Sequence, residues 1–522
     1  MDLIRRFGPW SLLCGALPLL GHGAAMPNSA TSPDLHLGQA VYDQHCAACH
    51  GDTGDGDGPA AVWLFPKPRD FSSGRFKIQS TPSGALPTDE DLLASIRRGL
   101  GGTSMPAFNF LSEAEQAAVV DYVKHLTVYT DADGRRVNRF AEAAAQGTLG
   151  TPITVPPEPP LTLRSITRGQ EVYAELQCAS CHGERGVGDG LSAPTLVDSF
   201  GLPNPPRDLS TQSFLGGSTG QDLYTRIAVG LGGTAMVAYP DDLVSPEDRW
   251  ALVHYVQSLR RKDIQVSDIL APTDGQLPVA RIEGPLPLHP LDPAWDRVES
   301  FPVPLNPLWP EPYPIFAVSV RALHDGQALA ILLQWRDDTF DGAPLRTEDF
   351  QDAAALQFSL TDQIPFLGMG DPRNPVNVWQ WKAGWQEEID GERPDMDRFY
   401  PSLYVDLYPE PAKHGLYRTA EQAGNLLAAT GMRSPVEDAN ATGFGTMTSQ
   451  PPHAQNVGGQ GVWRDNFWSV LFYRDLVSPD TGDVQFIPGR PVLVAFGIWN
   501  GAQRDRDGRK VISNWHRLTL NP

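Results

Sequence analysis

Two periodicities divide the chain. In the first half, Ser112-x-x-Glu115 and Ser245-x-x-Asp248 have the form of capping boxes. Each opens an amphipathic stretch, one ending near Leu126 and the other near Leu259, and these predict helices. Beyond about residue 285 the apolar positions recur at every second place. Phe316–Val320 and Leu329–Leu333 flank Asp325-Gly326, which predicts a hairpin. Leu356–Leu360, Trp468–Phe472, Val492–Trp499 and Leu518–Leu520 alternate in the same way, with glycine and proline between them. That pattern predicts an antiparallel β-sandwich. Long stretches such as 390–465 are candidates for covering a ligand or a partner. Residues 129–163, with Ala143-Ala144-Ala145 and Pro156-Pro157-Glu158-Pro159-Pro160, read as a connector, and so does 261–285. At the N-terminus, Arg5 and Arg6 precede an apolar run, Trp10–Leu20, and then Gly23-Ala24-Ala25. This predicts a signal peptide over 1–25 and a periplasmic location. Cys14 would leave with it; the alternative is a lipidated Cys14, against which Leu13 is large where a small residue is wanted. No later apolar run is long enough for a transmembrane segment in the mature chain.

The helical half contains an internal repeat. Cys46-Ala47-Ala48-Cys49-His50 and Cys178-Ala179-Ser180-Cys181-His182 are separated by about 132 residues. Each is C-x-x-C-H, the attachment motif of c-type haem. Two thiols reach the two vinyl groups of one porphyrin, and the adjacent imidazole reaches the iron. A second axial ligand must come from elsewhere. Gly101-Gly102-Thr103-Ser104-Met105 and Gly232-Gly233-Thr234-Ala235-Met236 place a methionine 55 and 54 residues after the respective histidines, and each offers a thioether. A zinc site built from the two cysteine pairs would not explain the matched histidines. His45, His125 and His254 are rival ligands.

Composition narrows the function. A length of 522 residues suggests about three domains. The formal charge of -21 becomes -22 once residues 1–25 are removed, which argues against a nucleic-acid binder and allows steering of a basic partner. Five cysteines are too few for a disulfide scaffold, and four of them belong to the haem motifs.

These features resemble tandem class I cytochrome c domains, over residues 34–128 and 164–262. The resemblance implies a small all-α fold around each of two covalent c haems. His50 and Met105 would be the axial ligands of the first, and His182 and Met236 those of the second. Residues 285–522 carry Gly368-Met369-Gly370, Pro375-Val376-Asn377-Val378-Trp379-Gln380-Trp381-Lys382-Ala383, Ile498-Trp499-Asn500-Gly501 and Gly508-Arg509-Lys510. They resemble the haem-binding domain of ethylbenzene dehydrogenase-type gamma subunits. That implies one non-covalent b haem held by Met369 and Lys510, with Lys382 the runner-up. Lys413 is the other lysine of this region, and His289, His324, His414, His453 and His516 keep a histidine ligand open. Trp379, Trp381 and Trp385 either shield a haem or fill the core.

The implied function is a multihaem electron-transfer protein and not an enzyme. Its partners would be the molybdopterin and iron–sulfur subunits of an oxidoreductase complex, nitrite-oxidising or nitrate-reducing for instance, and a soluble or membrane cytochrome. A dihaem peroxidase or dehydrogenase, and a dihaem cytochrome with a haem-free binding sandwich, are the alternatives.

Overall fold

The computed structural model describes residues 33–212, 214–260, 275–309, 314–391, 400, 402 and 433–521. The signal-peptide residues Arg5, Arg6 and Cys14, and also Lys413 and His414, lie outside the described residues.

The first repeat holds α1 (Pro33–His45), α2 (Ala47–His50), α3 (Asp89–Arg98) and α4 (Glu113–Leu126). At α4 the predicted box forms in full. Ser112 accepts from the Glu115 N–H, and the Glu115 carboxylate accepts from the Ser112 N–H at 2.8 Å. Val119, Val120 and Val123 of α4 share a core with Val41 and Tyr42 of α1, and Phe71 and Phe76 complete it from the loop after α2. Residues 129–163 are more ordered than a simple connector. They include most of the hairpin β1 (Val128–Thr130) and β2 (Arg136–Asn138), then α5 (Arg139–Gln146). Phe140 of α5 is buried in the first core, and 151–162 has no regular structure.

The second repeat holds α6 (Leu163–Glu175), α7 (Ala179–His182), α8 (Gly220–Val229) and α9 (Pro246–Ser258). Here the predicted box forms only by half. Ser245 accepts from the Asp248 N–H, but the Asp248 carboxylate turns to Arg168, at 2.8 and 3.0 Å. A charged guanidinium is a stronger partner than a neutral amide N–H.

The C-terminal region is mostly sheet. Its strands are β3 (Gln276–Arg281), β4 (Phe301–Pro304), β5 (Asn306–Pro307), β6 (Ala317–His324), β7 (Ala328–Arg336), β8 (Ala353–Ser359), β9 (Val376–Lys382), β10 (Val436–Ala441), β11 (Thr448–Ser449), β12 (Gly458–Arg464), β13 (Phe467–Asp475), β14 (Val492–Trp499), β15 (Val511–Ile512) and β16 (His516–Leu520). A short helix, α10 (Ala383–Ile389), follows β9. The main path runs β11-β10-β9-β8-β14-β16-β3-β6-β7-β13-β12. Strand β3 pairs parallel with both β16 and β6, so the sheet is mixed and not wholly antiparallel as expected. No hairpin joins β3 to either neighbour, so no tight turn dictates its direction.

Strands β9 and β13 lie far apart along this path, yet Trp381 of one meets Trp468 of the other edge-on at 4.8 Å. The sheet therefore curls back on itself around one core, which includes Ile331, Phe358, Trp379, Trp381 and Phe496. Every residue of β14 is buried, so this part of the sheet is covered on both faces. Its second face carries small side chains: Ala353, Ala355, Val376, Val378 and Ala441, with Trp499 beside them.

Candidate functional site

The haem motifs sit at matched places in the two repeats. In the first, α1 runs into the Cys46–His50 turn, closed by a bond from the His50 N–H to the Cys46 carbonyl at 2.9 Å. Buried Tyr42 donates its hydroxyl to the Gly51 carbonyl at 2.7 Å and fixes the far end of that turn. The second repeat copies both features: His182 bonds to Cys178 at 2.9 Å, and Tyr173 donates to Gly183 at 2.7 Å. The His50 ring stacks on Phe71 at 4.7 Å. Its Nδ1 lies 3.0 Å from the Arg69 carbonyl, and a carbonyl can only accept, so Nδ1 donates. Burial holds the His50 pKa below the usual histidine range, which leaves Nε2 with a free lone pair. The Arg207 carbonyl acts on His182 in the same sense, opposing burial, although their geometry falls outside hydrogen-bonding range.

The methionine loops are matched as well, and threonine explains the motif. In the first, Thr103 donates to the Leu100 carbonyl (2.7 Å) and accepts from the Met105 N–H (3.3 Å). In the second, Thr234 donates to Leu231 (2.8 Å) and accepts from Met236 (3.1 Å). One hydroxyl thus closes each loop and presents its methionine. Cys46, Cys49, His50 and Met105 line one cavity, and Cys178, Cys181, His182 and Met236 line another.

These residues suit a c haem: paired thiols, an imidazole with its lone pair free, a thioether, and largely apolar walls. The second cavity measures about 1120 Å³ and the first about 160 Å³, with Phe366 and Trp515 of the sheet region in the wall of the first. The zinc alternative lacks a ligand set: among the described residues, no three His, Cys, Asp or Glu side chains converge. Burial also pushes the Cys46 and Cys49 thiols up to about 12, away from the thiolate that zinc needs.

Of the rival histidines, His45 does line the first cavity, edge-on to Phe110 at 5.4 Å. Burial lowers its pKa to about 4. His254 is fully buried outside both cavities with Nδ1 2.8 Å from Ser165, and His125 is exposed.

In the sheet region Met369 and Lys510 come to the small-residue face. Met369 packs against it from a turn in which its own φ is +71°, a left-handed conformation that a methionine holds only under constraint. Bonds from Gly370 to Phe366 and from Gly443 to the Met369 carbonyl lock that turn. The Lys510 amine lies 4.6 Å from the Trp499 ring centre, and burial lowers its pKa to about 8. An amine that gives up its proton more readily than usual, although it donates to the Asp507 carbonyl at 3.1 Å here, together with small walls and a thioether, fits a b haem. Lys382 reaches the same face opposite Ala353, but it pairs with the Glu437 carboxylate and lies 4.2 Å from the Trp385 ring centre. His324 and His516 contact backbone carbonyls, while His289 and His453 are exposed. Trp379 and Trp381 belong to the opposite, core face.

Helical repeats with two haem-attachment turns, followed by a sheet region, define the class as a multidomain cytochrome. Family models match in the same order: cytochrome c over residues 35–127, subunit III of cbb3-type cytochrome c oxidase over 164–256, and ethylbenzene dehydrogenase over 292–511. A dimethylsulfide dehydrogenase gamma subunit of Rhodovulum sulfidophilum is 30% identical over 250 residues, 45% of this chain and 76% of that protein. A respiratory nitrate reductase haem subunit of Haloferax mediterranei is 28% identical over 243 residues, 45% of this chain and 69% of the relative. A solved structure, the reducing HAO-like protein complex of Kuenenia stuttgartiensis, is 37% identical with a TM-score of 0.39, covering 43% of this chain and 96% of that one. The chain belongs to the ethylbenzene dehydrogenase-type gamma-subunit family, here joined to two cytochrome c domains.

Proposed function

We propose that this chain is a periplasmic three-haem relay between a molybdenum and iron–sulfur oxidoreductase and a partner cytochrome. The c haems would be bound through Cys46 and Cys49 and through Cys178 and Cys181, with His50/Met105 and His182/Met236 as axial ligands. The b haem would be held by Met369 and Lys510. Bound haem supplies one-electron transfer. With histidine and methionine holding each c haem, no open position would be left for substrate, which argues against the dihaem-enzyme reading.

One observation carries the proposal: the first cavity adjoins both other sites. Cys49 packs into an apolar cluster with Phe444 and Ile512. Phe444 abuts Gly368, next to Met369, and Ile512 lies two residues from Lys510. On its other side, Pro66, Lys77 and Thr103 line both the first and the second cavity. The first c site therefore lies beside both others; the second cavity also takes Asn306 and Pro307 of β5, which pair with Ile512 and Val511 of β15, so the series order of b site, first c site and second c site is what the proposal adds. The b site would exchange electrons with the molybdenum enzyme. At the other end, Val237 lines the second cavity and is 60% exposed, which offers an edge to a partner cytochrome.

The test is made in the complex purified with its molybdenum and iron–sulfur subunits. Replacing Cys46 and Cys49 by Ser removes the first c haem. Electrons entering through the partner should still reduce the b haem while the second c haem stays oxidised. Unchanged reduction of the second c haem would refute the series order. Failure of such subunits to co-purify would refute the assignment to that complex.

A further inference from the structure

The two haem repeats are joined by a reciprocal exchange. Arg69 places its carbonyl against His50 in its own repeat and donates its guanidinium to the Gly232 carbonyl, 3.1 Å away in the other repeat's methionine loop. Arg207 does the converse in part. Its carbonyl makes no hydrogen bond to His182, but its guanidinium donates to the Gly102 carbonyl at 2.8 Å, in the first repeat's methionine loop. The loops are shaped around these arginines. Gly102 and Gly233 both have left-handed φ, and a Cβ on either would lie 3.0 Å from the opposing guanidinium carbon. So the arginine whose carbonyl supports His50 also holds the second repeat's methionine loop, and Arg207 holds the first repeat's loop in return.

Lys77 completes the cluster. It is half-buried, and it is one of the residues common to the walls of both cavities. Arg69 lines the first cavity and Arg207 the second. The charges that act on Lys77 are two cations, Arg69 and Arg207, and one acid, Asp198. Asp70 also offsets Arg69. Positive charge is thus in excess here, inside a chain of net charge -21. Arg69, Lys77 and Arg207 are each half-buried, and cations drawn partly out of water favour anions at hydrogen-bonding distance. Each c haem brings carboxylates of its own, the propionates, and guanidinium and ammonium groups bind carboxylates strongly.

We infer that Arg69, Lys77 and Arg207 form a single anion-binding seam that takes haem propionates from both c cavities and so couples the two haems electrostatically. The inference rests on the reading of two c haems. A cation beside a haem disfavours its ferric form, so the seam raises both reduction potentials. Because Lys77 faces both cavities, its charge acts on both haems.

The experiment is a spectroelectrochemical titration of the haem-loaded full chain, with Lys77→Met against the wild type and Lys77→Arg as the conservative control. Redox-difference infrared spectra on haem carrying ¹³C-labelled propionates separate propionate bands from those of Asp198. The expected result is that Lys77→Met lowers both c-haem potentials and shifts the labelled carboxylate bands, while Lys77→Arg restores both. Arg207→Gln should act in the same direction and keeps the test open if Lys77→Met does not fold. A change in only one potential, no change in either, or lowered potentials with unmoved propionate bands would overturn the seam. A haem count first decides the underlying reading: fewer than two c haems per chain refutes that reading, and two unresponsive c haems refute this inference.

Discussion

Gly38 lies in α1 where that helix crosses α4, and Gly38→Ala tests whether the crossing sets the first haem site. A Cβ at Gly38 would lie 2.8 Å from the Ala118 carbonyl carbon, closer still to its oxygen, and 3.0 Å from Tyr122 Cβ. Contacts under 3.0 Å are essentially never seen for real Cβ atoms. The obstacle is backbone, so no rotamer change relieves it and the helices must part. Overpacking of this kind costs about 1–3 kcal/mol. The substitution also stabilises an isolated helix by roughly 0.5–1 kcal/mol. The net expectation is a loss of about 1–2 kcal/mol. For a unit of roughly 60–100 residues each kcal/mol moves Tm by about 4–8 °C. Since α1 leads straight into Cys46–His50, parting the helices also shifts His50 relative to Met105. The assay is thermal unfolding of the haem-loaded chain, followed at the haem absorption and at the weak sulfur-to-iron band. A lowered midpoint with loss of part of that band is expected. An unchanged or raised midpoint would refute the reasoning. Gly169, whose Cβ would lie 2.6 Å from the Ala251 carbonyl carbon, should behave alike in the second repeat.

Tyr173→Phe removes the bond to the Gly183 carbonyl and should lower stability by about 1–2 kcal/mol, measured by urea unfolding, with spectral change confined to the second c haem. Met369→Ala, or Lys510→Met, should abolish b-haem binding and leave both c haems in the absorption spectrum; Lys382→Met should retain b haem. Asp438 gives a pH dependence. Burial, and then the Asp483 charge, raise its pKa to about 7. The folded chain therefore keeps a proton that the unfolded chain sheds near pH 4, so this group makes stability fall as pH rises from about 4 to about 7. Asp438→Asn should remove that slope while its side-chain oxygen still accepts from Asn377, and melting at about pH 5 and about pH 8 measures it. A wild-type-like slope in the variant would contradict the assignment.

Local chemistry is the legible part. Two C-x-x-C-H motifs and two Gly-Gly-Thr-x-Met frames are contiguous, so each site's donors can be named without knowing the packing. The hairpin at Asp325-Gly326 is legible for the same reason: Asp325 accepts from the Gln327 and Ala328 N–H groups, each at 2.8 Å. What escapes depends on contacts between distant residues. Asp248 has the spacing of a box residue, but Arg168 from another helix claims it. Strand β3 reads as connector because its partners are remote in sequence. Arg69, Arg207 and Lys77 carry no motif that points from one repeat to the other. A signal is present nonetheless, since Pro68-Arg69-Asp70 and Pro206-Arg207-Asp208 repeat one another at matched places. The tryptophans of β9 are ambiguous because alternation gives the two faces but not which of them is core.

Three haems of two kinds sharing this chain is the claim on which the rest depends. A pyridine haemochrome assay with iron determination, on full-length protein made with haem in supply, tests it most directly. The expected result is c and b haem at two to one, with three irons per chain. Protein carrying c haem alone would contradict it.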